Sequence, residues 1–146
     1  MNYLVGDIGN TLIKISILNK DFSIKKSYNL NTEKIYKKKY INFFFKKFIK
    51  KDLYNKVLFS SVVPIAYKKI YVYLKKKKIK VFEIKDFQIK KLIKIKVNNF
   101  KQLGSDRIVN AIGSSQVKNT LIIDFGTATT FDIIKNGIYE GGVIAP

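Results

Sequence analysis

The feature of this sequence that most constrains the fold is a short pattern that occurs twice. Residues 4–11 read Leu-Val-Gly-Asp-Ile-Gly-Asn-Thr, and residues 122–127 read Ile-Ile-Asp-Phe-Gly-Thr. In both copies an apolar strand ends in an aspartate, an apolar residue, a glycine and a nearby threonine. Each copy is followed by a second predicted strand, a short turn and a third strand. Because core packing gives no reason to repeat a polar corner, the repeat predicts two related lobes.

Between the two copies, the pattern predicts alternating strands and helices. Asn31 to Glu33 can cap a helix that runs to about Lys50, and Pro64 suits the first turn of another. Asn136-Gly137 is a strong hairpin signal. Residues 86–102 favour no single structure. The predicted strands cover 3–8, 12–18, 22–30, 56–63, 79–84, 120–126, 128–134 and 138–144, and the predicted helices cover 32–50, 65–77 and 104–117.

The strong positive charge favours a solvated lysine surface over a nucleic-acid interface. The net charge is +19, and all but one of the 29 basic residues are lysines, the exception being Arg107. Proteins that read base edges depend on the bidentate fork of arginine. Exposure to solvent is the default state of lysine. We therefore expect no nucleic-acid partner, although such a surface attracts ATP and other anions at low salt.

The sequence contains neither cysteine nor histidine, which limits the metal sites and proton acceptors that it can form. It has no cysteine, which excludes disulfides and thiolate metal sites and favours a reducing compartment. It has no histidine, so a proton acceptor must be a carboxylate, a lysine or a tyrosine. Asp7 interrupts the first apolar run, and no apolar run reaches the length of a membrane span. A cytoplasmic protein without a membrane partner is expected.

The two hairpins have the composition of a phosphate site. Gly9 and Gly126 lack a Cβ atom, so a phosphate can approach the backbone, and Thr11 and Thr127 add hydroxyl donors. An aspartate repels phosphate unless a cation bridges the two groups. Two such corners facing a common cleft could hold a metal-bound triphosphate between them. The alternative is that each Asp-x-Gly is only a turn.

Four ordered motifs resemble those of type III pantothenate kinases. They are Asp7-Ile8-Gly9-Asn10-Thr11 with Lys14, Gly104-Ser105-Asp106-Arg107 with Asn110, Asp124-Phe125-Gly126-Thr127-Ala128-Thr129-Thr130 with Asp132, and Tyr139-Glu140-Gly141-Gly142 with Ile144-Ala145-Pro146. The resemblance implies an α/β fold with a ribonuclease H-like (actin-like ATPase) lobe, built on a mixed five-stranded sheet with flanking helices. We expect this lobe to cover residues 1–118, and residues 119–146 to form the first hairpin strands of a second, similar lobe.

The resemblance also implies an activity and a set of site residues. The activity is ATP-dependent phosphorylation of pantothenate at its 4′-hydroxyl, the first step of coenzyme A biosynthesis. Asp106 would be the general base, and Asp124 would bind a monovalent cation, K⁺ or NH₄⁺. ATP would bring a divalent cation, Mg²⁺, and the protein would be a homodimer. The implied ATP-binding residues are Asp7, Ile8, Gly9, Asn10, Thr11, Leu12, Ile13, Lys14 and Thr127, and the implied pantothenate-binding residues are Gly104, Ser105, Asp106 and Arg107.

Elementary chemistry is consistent with two of these roles. With histidine absent, the carboxylate of Asp106 is a plausible acceptor for a hydroxyl proton, and a modest base is sufficient for phosphoryl transfer. The alternative for Asp106 is a helix cap. Arg107 can bind a carboxylate in a bidentate way, which lysine cannot. The sequence departs from the family pattern at Val97, where a tyrosine is common, and at Asn98-Asn99, where the family has Asn-Pro.

Other functions and the length of the chain lead to further expectations. One alternative is a non-catalytic regulatory or accessory relative, for which the positive charge would suit contact with nucleic acid. A second alternative is another kinase of the same superfold. Two complete lobes need roughly 100–150 residues each. We therefore expect the 146-residue chain to be inactive alone, and the strands after residue 120 to expose an apolar face unless something covers it.

Overall fold

A computed structural model describes residues 3–46, 49 and 56–145. The chain divides into two compact units, Met1–Glu83 and Ile84–Pro146. The predicted boundary between the lobes, after residue 118, stays a prediction, and it does not coincide with this division. Residues 84–118 group with the second unit because they supply one strand of its sheet and a helix of its core.

The first unit contains the predicted mixed five-stranded sheet, in the order β3-β2-β1-β4-β5. Strands β1 to β3 form the antiparallel meander, and β4 and β5 continue the sheet in parallel from β1. The strands are β1 (Tyr3–Ile8), β2 (Leu12–Leu18), β3 (Ile24–Asn31), β4 (Lys56–Ser61) and β5 (Lys80–Glu83), and the helices are α1 (Lys38–Lys46) and α2 (Pro64–Lys76).

The core of the first unit forms because strand and helix periodicities both place apolar side chains toward it. Ile13, Ile15 and Ile17 alternate along β2 and are buried. On α2, Ile70 and Leu74 lie one turn apart and are fully buried. The five residues belong to one cluster that also contains Leu4, Ile8, Ile35, Ile41, Phe44, Phe45, Val57, Phe59, Ala66 and Ile79.

The predicted continuous helix over 32–50 is wrong over residues 32–37. Thr32–Tyr36 forms a 3₁₀ turn, Lys37 is extended (φ −95°, ψ 119°), and α1 begins only at Lys38. The side chain of Asn31, which was expected to cap the helix, makes no capping hydrogen bond. Thr32 is instead tied to the first hairpin, which holds this segment away from a regular helix. The end of the predicted helix at residues 47, 48 and 50 lies outside the described residues.

The second unit is a four-stranded sheet in the order β6-β9-β8-β7, with one α-helix beside it. The segment 86–102, which had no assignment, supplies short 3₁₀ turns and a two-residue strand that pairs in parallel with β9. The elements are β6 (Lys94–Ile95), α3 (Ser105–Gly113), β7 (Thr120–Phe125), β8 (Thr129–Lys135) and β9 (Ile138–Ala145).

The two faces of the second sheet differ in burial. On one face, Ile134 and Tyr139 pack with Ile108 and Ala111 of α3 in a buried cluster. The other face is apolar and exposed, as expected for the strands after residue 120, and its exposed members are Leu121, Ile123, Phe125, Ile133 and Val143. None of the helices in the described part of the chain is long and apolar enough to cross a membrane.

Candidate active site

The first hairpin of the site joins β1 to β2. The Gly9 N–H donates to the Leu12 carbonyl at 3.0 Å, which closes a tight turn. Asp7 lies opposite Lys14 across the two strands, and both residues are exposed. Ile8 and Ile13, which also lie opposite each other, are fully buried. Since successive side chains point to opposite faces, the buried pair anchors the corner and leaves the charged pair on the outer face.

Two neighbouring segments support this corner. The parallel strand β4 places Ser60 beside Asp7, and the Val62 N–H donates to the Ile8 carbonyl at 3.1 Å. From the end of β3, the Thr32 hydroxyl donates to the Gly9 carbonyl at 2.7 Å, and the Thr32 N–H donates to the Thr11 carbonyl at 2.9 Å. Thr32 belongs to the segment that was expected to cap a helix, and its contact with this hairpin was not predicted, although hydroxyl side chains often bond to nearby backbone groups.

The second hairpin joins β7 to β8. Three residues separate its last paired positions, Phe125 and Thr129, whereas four separate Ile8 and Ile13 in the first hairpin. The Gly126 N–H donates to the Ala128 carbonyl at 3.2 Å, and Asp124 lies opposite Thr130. Asp124, Gly126 and Thr127 are all exposed. The two hairpins belong to different units, so the predicted grip of both corners on one triphosphate stays a prediction.

Asp106 lies in the first turn of α3. A negatively charged side chain in this position interacts favourably with the helix dipole. Gly104 is the N-cap residue, so Asp106 does not occupy the cap position that the alternative interpretation gave it. The half-buried Asp106 accepts a hydrogen bond on Oδ1 from the Arg107 N–H at 2.7 Å. Ser105 beside it is buried, so the backbone of this loop is packed against the unit.

Helix α3 brings Asp106 and Asp124 to one side of the second unit. Asp106 and Asn110 are four residues apart and therefore share a helix face. The Asn110 side-chain amide donates to Asp124 Oδ2 at 3.0 Å, which ties the end of β7 to that face. Among the described residues, no group of three or more acidic, histidine or cysteine side chains could hold a metal ion. The predicted monovalent-cation site at Asp124 stays a prediction.

Arg107 points into the unit and is paired with Asp132 of β8. Its Nε and Nη2 atoms donate to Asp132 Oδ1 at 2.8 and 2.6 Å. The Tyr139 hydroxyl of β9 donates to the same oxygen at 2.5 Å. The side chain of Arg107 is 14% exposed and that of Asp132 is fully buried. Two of the five N–H donors of Arg107 are thus directed at Asp132. The predicted contact between Arg107 and a substrate carboxylate stays a prediction.

Burial and the Asp132 carboxylate determine the protonation of both partners. Burial raises the pKa of the Tyr139 hydroxyl, and the hydrogen bond to Asp132 raises it further, so the neutral phenol is favoured. Burial alone lowers the pKa of the Arg107 guanidinium, but the hydrogen bond to Asp132 and nearby negative charge outweigh it and raise that pKa. Asp132 and Tyr139 both lie in the motifs that carry the family resemblance, but neither was given a role from the sequence.

Comparison with solved structures defines the class of protein. The chain is similar to a structure from Campylobacter jejuni described as a conserved Baf family transcriptional activator, with a TM-score of 0.57 and 22% identity over 98% of this chain and 54% of that one. It is also similar to a ROK family glucokinase from Streptomyces griseus in complex with glucose and AMPPNP, with a TM-score of 0.52 and 12% identity over 99% of this chain and 48% of that one. At these identities the likeness shows the fold, which is that of the actin-like kinases.

The sequence comparisons define the family within that class. The family model described as type III pantothenate kinase matches residues 3–146, and the chain belongs to this family. A type III pantothenate kinase of Pelagibacter ubique is 47% identical over 145 residues, and one of Listeria monocytogenes is 33% identical over 156 residues. Each alignment covers 98% of this chain and 58% of the relative. The chain thus spans less than two thirds of the length of these curated relatives.

Proposed function

We propose that this chain supplies the phosphate-binding hairpin and the substrate loop of a kinase that transfers phosphate from ATP to the 4′-hydroxyl of pantothenate. The observation that carries the proposal is the position of Asp106 in the first turn of α3, on the helix face that Asn110 ties to Asp124. Family membership supports the same reaction. A carboxylate in this position can accept the hydroxyl proton in a sequence without histidine.

The first hairpin fits the phosphates of ATP. Gly9 leaves room for the backbone turn, since a Cβ atom there would lie 3.2 Å from the Leu12 carbonyl oxygen. Asn10 and Thr11 are exposed at the tip, with the Lys14 ammonium on the same strand pair. A divalent cation such as Mg²⁺, when bound with ATP, would neutralise phosphate charge beside the Asp7 carboxylate. The proposed ATP site is Asp7 to Lys14 together with Thr127.

The second unit supplies the remaining parts of the proposal. Gly104, Ser105 and Arg107 would line the pantothenate site around Asp106, and Asp124 would hold a monovalent cation. The proposed kinase is a cytoplasmic homodimer, as the family resemblance implies. Pantothenate carries a carboxylate, and the lysine-rich surface would draw both anionic substrates toward the protein in a salt-dependent way.

The test is a chimera in which residues 1–146 are followed by the matching C-terminal remainder of the Pelagibacter ubique relative. We expect this protein to phosphorylate pantothenate with ATP, and the 146-residue chain alone to show no detectable transfer. Asp106→Asn should lower kcat by about 10²- to 10⁴-fold, the range of general base catalysis. The assay is coupled nucleotide turnover with isolated phosphopantothenate as the product.

Asp21→Asn is the matched control, because it makes the same chemical change in an exposed turn where Asp21 accepts hydrogen bonds from Ser23. This variant should retain the activity of the unmodified chimera. A folded chimera without pantothenate phosphorylation would overturn the proposed activity. Full activity in Asp106→Asn would remove Asp106 from the reaction and favour a non-catalytic role for this loop.

A further inference from the structure

Asp132 is the most completely enclosed charged group in the described part of the chain, and it collects three donors on one oxygen. Oδ1 accepts from Arg107 Nε, Arg107 Nη2 and the Tyr139 hydroxyl, while buried Oδ2 has no hydrogen-bond partner among the described residues. A carboxylate removed from water is costly unless it is paired. Its pairing with Arg107 is therefore the condition for burying it, and the pair links α3 to β8.

A bulge in β9 brings Tyr139 into this group. Ile133 pairs with Gly141 but Ile134 pairs with Tyr139, so Glu140 is an extra residue that has no partner on β8. Asp132 and Ile134 are two residues apart and share a face of the sheet. Without the extra residue, Glu140 would lie opposite Ile134. The bulge thus places the phenol, rather than a second carboxylate, on the face that Asp132 occupies.

Glycine at position 142 makes room for the guanidinium. A Cβ atom there would lie 2.8 Å from Arg107 Nη2 and 1.8 Å from the Phe131 carbonyl oxygen. The Gly-Gly pair in the last motif therefore has a structural reason in this chain: Gly141 adopts a positive φ of 105° in the bulge, and Gly142 admits Arg107. Asp132 of β8 and Gly142 of β9 thus both lie against the Arg107 side chain of α3.

We propose that Asp132 and Tyr139 are positioning residues that clamp Arg107 and thereby fix the loop Gly104–Asp106 in the substrate site. The inference rests on the proposed function, since it assigns the clamp to the pantothenate end of that reaction. Arg107 follows Asp106 directly in the first turn of α3, and its own N–H donates to the Asp106 carboxylate. Asp132 of β8 holds the Arg107 side chain, and Tyr139 of β9 holds the Asp132 carboxylate in turn, so the two residues together limit the motion of the backbone that carries Asp106.

The single arginine of the sequence offers a direct probe of the clamp in the 146-residue chain. In a ¹⁵N-labelled sample, the Nε–Hε resonance of Arg107 is unambiguous. We expect its exchange with water to accelerate at least tenfold in Asp132→Asn and by a smaller factor in Tyr139→Phe. Tyr36→Phe, at a half-exposed tyrosine of the first unit, is the matched control and should leave the exchange rate unchanged. Should Asp132→Asn fail to fold, Tyr139→Phe carries the test, and an unchanged exchange rate in it overturns the clamp.

The positioning role of Asp132 and Tyr139 is tested by steady-state kinetics of the chimera described above. Tyr139→Phe should lower kcat/KM for pantothenate at least threefold and leave the KM for ATP unchanged, whereas a purely structural role would affect both substrates or only thermal stability. Faster Hε exchange with unchanged kcat/KM for pantothenate would overturn positioning and leave the proposed function intact. A folded but inactive chimera would refute the proposed function, and the positioning role with it, while the exchange rate would still report the contact itself.

Discussion

The two Asp-x-Gly hairpins share their polar residues but differ in how deeply their apolar residue is buried. In the first, the apolar residue after the aspartate is Ile8, which is fully buried; in the second it is Phe125, which is 82% exposed. β1 lies between β2 and β4, whereas β7 pairs only with β8 among the described strands. The shared motif thus determines the corner, while the packing against each face of the sheet determines how much of it is buried.

The supports of the two hairpins differ as well. Thr32, a buried residue directly after β3, holds the first hairpin through its backbone and its hydroxyl. The second is held at Asp124 by the Asn110 side chain, an exposed contact from α3. The proposed phosphate role thus belongs to the corner with the part-buried support, and the proposed cation role to the corner with the exposed support.

Matched alanine substitutions at Ile8 and Phe125 test the difference in burial. Ile8→Ala should destabilise the first unit by about 2–5 kcal/mol, as expected for truncating a buried aliphatic side chain. Phe125→Ala should change the free energy of unfolding of the second unit by no more than about 0.5 kcal/mol. The measurement is amide hydrogen exchange, which reads β1 and β7 separately in one sample.

Protein concentration serves as the control for this pair. If Phe125→Ala costs as much as Ile8→Ala, and the cost grows with protein concentration, then a second copy covers the exposed apolar face in solution. A large cost that is independent of concentration would mean that Phe125 is buried within the chain, and the comparison of the two hairpins would fail.

Glycine-to-alanine substitutions compare the fit of the backbone in the two units. Gly142→Ala places a Cβ atom 1.8 Å from the Phe131 carbonyl oxygen, so the backbone of β8 or β9 must move. We expect a cost of about 1–3 kcal/mol, the usual range for overpacking. At Gly9 the nearest backbone atom would be 3.2 Å away, which requires a much smaller shift. Thermal unfolding of both variants should therefore show the larger loss for Gly142→Ala, and an equal loss would contradict the assigned role of Gly142.

Local features of the fold could be predicted from the sequence because neighbouring residues determine them. Alternation identified β2, Pro64 marked the start of α2, and Asn136-Gly137 forms the predicted turn, with positive φ at both residues. The break at Lys37 could not be predicted, because it depends on the hydrogen bonds of Thr32 to a hairpin more than twenty residues earlier.

The candidate site shows the same division. The motif residues Asp106, Asn110 and Asp124 were identified from the sequence, but not the hydrogen bond by which Asn110 links α3 to β7. Arg107 was expected to face a substrate because the family resemblance implies that role and because a guanidinium can bind a carboxylate in a bidentate way. Its partner Asp132 lies 25 residues away, and the Tyr139 contact depends on a bulge that local patterns do not reveal. Pairing between distant strands decides such contacts.

The smallest expected changes in stability come from removing one side-chain hydrogen bond from each hairpin, that of Thr32 from the first and that of Asn110 from the second. Thr32→Val keeps the shape of the side chain but leaves the Gly9 carbonyl without its part-buried hydroxyl donor, so we expect a loss of about 0.5–1.5 kcal/mol. Asn110→Ala removes an exposed contact and should cost no more than about 0.5 kcal/mol. Amide exchange at Gly9 and Gly126, whose N–H groups donate within their own turns, reads the two corners separately. Because Thr32 also donates its N–H to Thr11, the first corner should keep its fold in Thr32→Val. A larger loss of protection at Gly126 in Asn110→Ala than at Gly9 in Thr32→Val would contradict the assignment of the stronger support to the first corner.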